Sequence, residues 1–224
     1  MGKFFYSVPL NKNTIMTIIV FGATGMVGKQ LVQQALFKGH TVKAFGRNVF
    51  SEYEPDTKNL ELVKGALFDA GEVADAIKGC DAVLSALGGG FDGNDKTRTL
   101  GIKNIIAQMK KEKVQRIIAV GGMGVLNADE ITLIVDTENY PKEMIPVSKE
   151  HQQVYEYLKE SGLNFTFVCP PAIIDHEATG AFTTNADYLP EINNNTINAG
   201  DLALFMLNEL EKNEYVKQKV GISN

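Results

Sequence analysis

The sequence predicts an α/β fold built on a doubly wound parallel sheet, and three observations point there. From residue 17 onward, short apolar runs alternate with stretches of amphipathic helical spacing. The first of these runs, residues 17–21, is short and apolar and ends at a glycine, the pattern of a buried strand. A glycine-rich turn leads straight from the first apolar run into the first helical stretch.

Taken in order, residues 17–21 (TIIVF) form the first predicted strand, ended by Gly22. Residues 26–38 follow, with Val27, Leu31 and Leu36 at helical spacing and a stop at Gly39. Residues 41–45 and 60–63 read as the second and third strands. A short helix over 72–78 is closed by Gly79, and residues 81–87 (DAVLSAL) form the fourth strand. Residues 97–113 make a long helix whose basic last turn suits the helix dipole, and 116–120 (RIIAV) make the fifth strand. A helix over 146–161, closed by Gly162, precedes the sixth strand at 165–169, which Pro170 and Pro171 stop. A last helix over 200–210 carries Asp201 in its first turn and leaves a short tail. The spans 127–145 and 175–199 read as long irregular segments, of the kind that form binding loops or lids. With no repeat, low-complexity tract or linker, residues 17–224 read as a single domain.

Composition narrows the function. With 224 residues and 44% hydrophobic content, the chain has material for a sizeable core. Its net charge of −5 offers no electrostatic footprint for nucleic acid or an anionic membrane, and no run has the length of a membrane span. Cys80 and Cys169 lie far apart in apolar runs and read as buried thiols of a cytoplasmic protein, not as a disulfide or metal site. The three histidines, His40, His151 and His176, have no metal-ligand company and read as structural or solvent-exposed, with His40 at the surface. Residues 1–16 read as an N-terminal extension, with Met16 a candidate start. The stretch has no small-residue cleavage site, and Tyr6 stands where N-myristoylation wants Ser or Thr.

The turn Gly22-Ala23-Thr24-Gly25-Met26-Val27-Gly28 carries the chemistry. Strand, glycine turn and helix in succession are the context of a Rossmann dinucleotide site. Gly22 permits the turn off the strand, Gly25 lets backbone amides approach a pyrophosphate, and Gly28 lets the helix lie close on the sheet. The unpaired amides over 24–27 then face the anion. The end of the second strand selects the cofactor. An NAD site usually places an acid there to hold the ribose 2′-hydroxyl, whereas here Phe45-Gly46-Arg47-Asn48 offers a guanidinium that can pair with a 2′-phosphate. Arg47 argues for NADP(H), with NAD(H) as the alternative and a solvated surface arginine as the bland reading.

GATGMVG, GRN (46–48), KGALFDAG (64–71), CDAVLSALGG (80–89) and SGLNFTFVCPPAIIDHEATGAF (161–182) resemble the atypical and extended short-chain dehydrogenases. That group includes NmrA-like proteins and biliverdin-IXβ/flavin reductases, and the likeness covers residues 17 to the end. It implies that Leu67 packs on adenine, with Ala66 where the reductases carry Asp, and that Ala86, Leu87 and Gly88 line the dinucleotide. Short-chain dehydrogenases that reduce ketones use a Ser after the fifth strand and a Tyr four residues before a Lys. Here Gly121 and Gly122 replace the Ser, Lys149 fits the Lys, and Ile145 stands in the Tyr position. Tyr140 reads as too far upstream to replace it. Lys149 is a candidate ribose ligand or an ordinary helix lysine.

Residues 89–91, 122–124 and 170–173, with Pro170 beside the cofactor and the loop near Phe182, are expected to form the acceptor pocket. The resemblance implies an oxidoreductase passing hydride from NADPH to a flat conjugated acceptor (flavin, quinone or tetrapyrrole-like) without a tyrosine acid, in a monomer or weak dimer. Ala172, where the related reductases carry His, counts against tetrapyrrole specificity. The alternative is a non-catalytic NADP-sensing regulator of NmrA type; a nucleotide-sugar epimerase is disfavoured for want of the Tyr.

Overall fold

In β1 (Thr17–Phe21), side chains alternate between the two faces of the sheet, and Ile18, Ile19, Val20 and Phe21 are all fully buried. Ile18 and Val20 join the core on one face, Ile19 and Phe21 the core on the other, which is why the run carries no polar residue. A computed structural model describes residues 15–191 and 194–224. Of the expected extension over 1–16, residues 1–14 lie outside the described residues.

β1 is followed by α1 (Met26–Phe37), β2 (Thr41–Gly46), the one-turn α2 (Val49–Glu52), β3 (Leu60–Lys64), α3 (Ala70–Ile77) and β4 (Ala82–Ser85). Then come α4 (Thr97–Glu112), β5 (Arg116–Val120), α5 (Ile145–Ser161) and β6 (Asn164–Cys169). The chain finishes with β7 (Ala172–Ile174), β8 (Thr183–Ala186), β9 (Thr196–Asn198), α6 (Ala199–Lys212) and β10 (Gln218–Ser223). One eight-stranded sheet has the order β3-β2-β1-β4-β5-β6-β10-β8, parallel throughout except where β8 runs antiparallel to β10. β7 and β9 form a small parallel pair. α1 and α6 cover one face of the sheet, while α3, α4 and α5 cover the other. The expected doubly wound α/β architecture is present.

The winding positions the site. The chain steps outward from β1 to β2 and β3, then crosses back to β4 on the other side of β1. Connections leaving β1 and β4 in opposite directions open a crevice at their carboxyl ends, where ligands of such sheets bind.

Two expectations are corrected. The short tail after the last helix is in fact β10, inserted beside β6 with Val220 and Ile222 fully buried. Its run QKVGIS is too short and too mixed to register as a strand, and Lys219 within it is buried. That ammonium is satisfied by Val125 O at 2.8 Å and Asn127 Oδ1 at 2.6 Å. His40 is not at the surface: it is fully buried between α1 and β2, where Met16 N donates to its Nδ1 at 3.2 Å. Burial holds its pKa below the ordinary value despite the Glu211 carboxylate 3.9 Å away.

The segment 127–145 contains two 3-10 turns, Ile134–Asp136 and Lys142–Met144. The span 175–199, expected to be irregular, carries β8 and β9, and its Thr179 and Gly180 are clamped by Asp201. This buried carboxylate accepts hydrogen bonds from Thr179 N (2.8 Å), Thr179 Oγ1 (2.9 Å), Gly180 N (2.7 Å), Asn198 Nδ2 (2.8 Å) and Asn224 Nδ2 (2.9 Å). Burial pushes its pKa up, but the hydrogen bonds outweigh it and the net shift is downward.

The turn from α6 into β10 is fixed by Glu209, which is 1% exposed. Its carboxylate meets Arg116 Nη2 at 2.8 Å, Thr166 Oγ1 at 3.0 Å, and the amides of Glu214 and Tyr215 at 3.0 Å each. Removing one partner of a buried pair strands the other's charge, so Glu209→Ala should cost about 3–5 kcal/mol of stability. Urea denaturation measures it; a loss under about 1 kcal/mol, the value of an exposed pair, would contradict this assignment.

Candidate functional site

The turn between β1 and α1 is held by backbone contacts that no side chain could share. Gly22 has φ +79°, a left-handed conformation, and a Cβ there would collide with the Ala86 carbonyl at the end of β4. A Cβ on Gly28 would strike the Gly22 carbonyl, so α1 lies directly against the turn. Gly25 differs: a Cβ would meet only the Gly22 oxygen, at 3.4 Å, and would otherwise project into open space at the head of α1. Gly25 is the N-cap and has no capping side chain, which leaves the first amides of α1 without intrahelical partners. An open cradle of donors at a helix N-terminus fits an anionic phosphate.

A cavity of about 570 Å³ opens beside this helix end, along the carboxyl ends of β1, β4, β5 and β6. Of the residues expected at the cofactor, Gly25, Met26, Val27, Ala86, Leu87, Gly88 and Pro170 line it. Pro170 is placed by its carbonyl, which accepts from Met123 N at 2.9 Å and ties the loop after β5 to the end of β6. Gly22, Thr24 and Gly28 lie behind the wall as parts of the turn. Leu67 packs with Leu87 over Gly101 of α4, and Asn104 Nδ2 donates to its carbonyl at 2.9 Å. Asp69 is the N-cap of α3, accepting from Glu72 N at 2.9 Å, while Glu72 reaches back to Ala66 N at 2.6 Å.

Arg47, at the end of β2, is exposed and makes no ion pair with the described residues. The nearby acid Glu52 is engaged by Lys29 of α1 at 2.5 Å. Lys149 is drawn away from the cavity: its ammonium sits on Asp136 at 2.7 Å and Gln152 at 3.1 Å, half exposed.

Phe91, Met123, Pro171 and Ile173 also line the cavity, together with residues the sequence did not place there. Phe182, expected nearby, packs instead on Phe205 of α6. Pro141, Met144 and Val147 complete the apolar lining. Tyr140 is in the wall as well, its hydroxyl 2.6 Å from Ser148 Oγ of α5. Distance along the chain placed it out of reach, but the 3-10 turn at 142–144 folds it back over α5. His151 follows Ser148 one helical turn on, is half-buried, and also lines the cavity. Its Nδ1 is sealed from solvent without a hydrogen-bond partner among the described residues. Burial first, and the nearby Arg98 charge second, hold its pKa down to about 3, so the ring is neutral at pH 7. Arg98 is itself buried, paired with Glu150 at 3.0 Å and donating to the Gly89 and Gly90 carbonyls at 2.9 Å, which shapes the loop after β4.

Among the described residues, no group of three or more His, Cys, Asp or Glu side chains converges to hold a metal, and no helix is long and apolar enough to cross a membrane.

The sequence profile of the NAD(P)H-binding family matches residues 22–213. The uncharacterized protein YwnB of Bacillus subtilis is 30% identical over 215 residues, covering 92% of this chain and 98% of YwnB. A crystal structure from Burkholderia pseudomallei, provisionally named an exported protein, superposes with TM-score 0.81 at 31% identity, covering 94% of this chain and all of that one. A Streptococcus pneumoniae structure, provisionally named an NADH-flavin reductase, superposes with TM-score 0.78 at 29% identity over 93% of this chain and 99% of its own. The match runs from the glycine turn through the last helix, and the chain belongs to the NAD(P)H-binding family of Rossmann-fold proteins.

Proposed function

We propose that this protein is an NADPH-dependent reductase that delivers hydride to a planar conjugated acceptor. The observation that carries the reading is one continuous cavity: it begins at the open amide cradle of α1 and ends in an apolar chamber of Phe91, Met123, Met144 and Ile173. Its volume, about 570 Å³, falls in the range of small-molecule sites. The nicotinamide supplies the hydride when the cofactor is bound. Gly25, Met26 and Val27 hold the pyrophosphate through backbone amides, with Gly22, Thr24 and Gly28 keeping the turn in shape. Leu67 packs on the adenine, and Ala86, Leu87, Gly88 and Pro170 line the path to the nicotinamide. Arg47, without an ion pair among the described residues and at the end of β2, pairs with the 2′-phosphate and favours NADP(H) over NAD(H). Lys149 reaches the ribose only by leaving Asp136.

Flavins, quinones and extended tetrapyrroles accept hydride at conjugated centres, and solvent delivers the balancing proton. Positioning then supplies most of the catalysis, and no tyrosine acid is needed where Ile145 stands. The name of the pneumococcal neighbour supports a flavin-like acceptor. The buried free thiols of Cys80 and Cys169 fit a reducing, cytoplasmic setting, and the chain is taken to act as a monomer or weak dimer.

One observation favours a second reading, a non-catalytic NADP-sensing regulator of NmrA type. Lys149 is committed to Asp136, and neither the Ser nor the Tyr of ketone-reducing relatives is in place. NADPH oxidation assayed with flavins, quinones and bilins separates the two. Turnover with any of them supports the reductase; tight NADPH binding with no turnover supports the sensor.

Two substitutions test the cofactor assignment. Gly25→Val has room within the protein but fills the phosphate cradle, so it should fold normally and lose dinucleotide binding; undiminished binding would refute the cradle. Arg47→Ala removes a charge-assisted contact of about 1.5–3 kcal/mol, so calorimetry should show NADPH affinity falling roughly ten- to a hundredfold with NADH nearly unchanged. Equal losses for both cofactors would count against Arg47 as the 2′-phosphate ligand.

A further inference from the structure

Apart from Arg98, which is paired with Glu150, the side chains that line the cavity are apolar except along one edge. There Tyr140, Ser148 and His151 lie together, all three lining the space. The backbone opposite is cleared for them. A Cβ on Gly124 would fall 2.6 Å from Ser148 Oγ and 2.8 Å from Tyr140 Oη, and one on Gly122 would fall 3.0 Å from His151 Cδ2. The two hydroxyls contact each other at 2.6 Å and have no other hydrogen-bond partner among the described residues. One O–H serves the contact between them; the other proton is left without an acceptor. A buried hydroxyl proton calls for an acceptor, and a ligand oxygen in the cavity that Tyr140 and Ser148 line can supply it.

Charge narrows what carries that oxygen. Arg98 is consumed by Glu150 at 3.0 Å and by two backbone carbonyls, and Lys149 faces Asp136. His151 is neutral, because burial and Arg98 hold its pKa at about 3. The acceptor end therefore has no unpaired cation among its described lining residues. A phosphate or carboxylate buried there would lose its hydration without a counter-charge, a costly transfer.

Resting on the reductase reading above, we propose that the Tyr140–Ser148 hydroxyl pair anchors the ring carbonyl oxygen of an uncharged acceptor of the quinone class. The pair orients the acceptor ring by one donated hydrogen bond and takes no part in the transfer of hydride. Tyr140 and Ser148 are thus specificity-determining residues, and the site discriminates against acceptors that carry a phosphate or carboxylate into the chamber.

The test uses the full chain, with NADPH as donor and menadione, riboflavin and FMN as acceptors. Riboflavin and FMN share one ring system and differ in the phosphate. Expected are a kcat/KM for menadione and riboflavin at least about tenfold above that for FMN, and a rise in the menadione KM of roughly two- to tenfold in Tyr140→Phe with kcat within about twofold. Gly124→Ala, which crowds the pair without deleting it, should raise KM in the same way, and thermal denaturation checks that each variant is folded. A hundredfold fall in kcat for Tyr140→Phe would make Tyr140 an acid and overturn the anchoring role. An unchanged KM, or FMN used as well as riboflavin, would overturn it too. If the wild type reduces none of the three, quenching of riboflavin fluorescence by the NADP+-saturated protein decides the matter separately. Binding weakened by Tyr140→Phe retains the anchor while the reductase reading fails, and absence of riboflavin binding refutes the anchor.

Discussion

The structure depends on the contact between the two ends of one short turn. Gly28 lets α1 settle onto the Gly22 carbonyl, and Gly22, in a left-handed conformation, lets the end of β1 press against Ala86 beyond β4. A side chain at either position would push the helix off the sheet or part β1 from β4, where the parallel ladder pairs Ile18–Phe21 with Ala82–Ser85. These close approaches leave the head of α1 at the mouth of the crevice with its amides unpaired. The exposed donors are therefore a by-product of packing: the approach that stabilises the βα unit also leaves the first amides of α1 open.

Around that point several buried charges hold loops and turns in place. Arg98 and Glu150 hold the loop after β4, Glu209 and Arg116 hold the turn into β10, and Asp201 holds the segment at Thr179 and Gly180. Each is hydrogen-bonded on several sides, as a buried ion must be. Of these, the Arg98–Glu150 pair lies at the cavity, whose described lining residues include no unpaired cation. Such a site can align a flat ring with a cofactor, and alignment is what hydride transfer to a conjugated centre chiefly requires.

Much of this was legible in the sequence because it rests on local pattern. β1 and β5 carry apolar residues over Ile18–Phe21 and Ile117–Val120, because α1 and α6 cover one face of the sheet and α3, α4 and α5 the other. The glycine turn was legible because Gly22 and Gly28 answer to backbone geometry that no other residue meets. What escaped depends on contacts between residues distant in the chain. The strand β10 is short and mixed, and its place is set by β6 and by satisfaction of the Lys219 ammonium 94 residues from its partner Val125. His40 sits in a polar-looking stretch and is buried by α6, which arrives much later in the chain. Tyr140 looked remote from the site because spacing along a helix says nothing of a residue carried back by a 3-10 turn. Ser148 and His151 share a helix face, a signal that was present but had no partner to give it meaning until Tyr140 was seen against it.

A crystal structure of the protein grown with NADP+ tests the central claim most directly, since it places every part of the cofactor at once. Expected are the pyrophosphate on the amides at the head of α1, the 2′-phosphate beside Arg47, and the nicotinamide in the cavity between Gly88 and Pro170, facing its apolar lining. A dinucleotide bound elsewhere, or one whose nicotinamide lies outside that cavity, would contradict it.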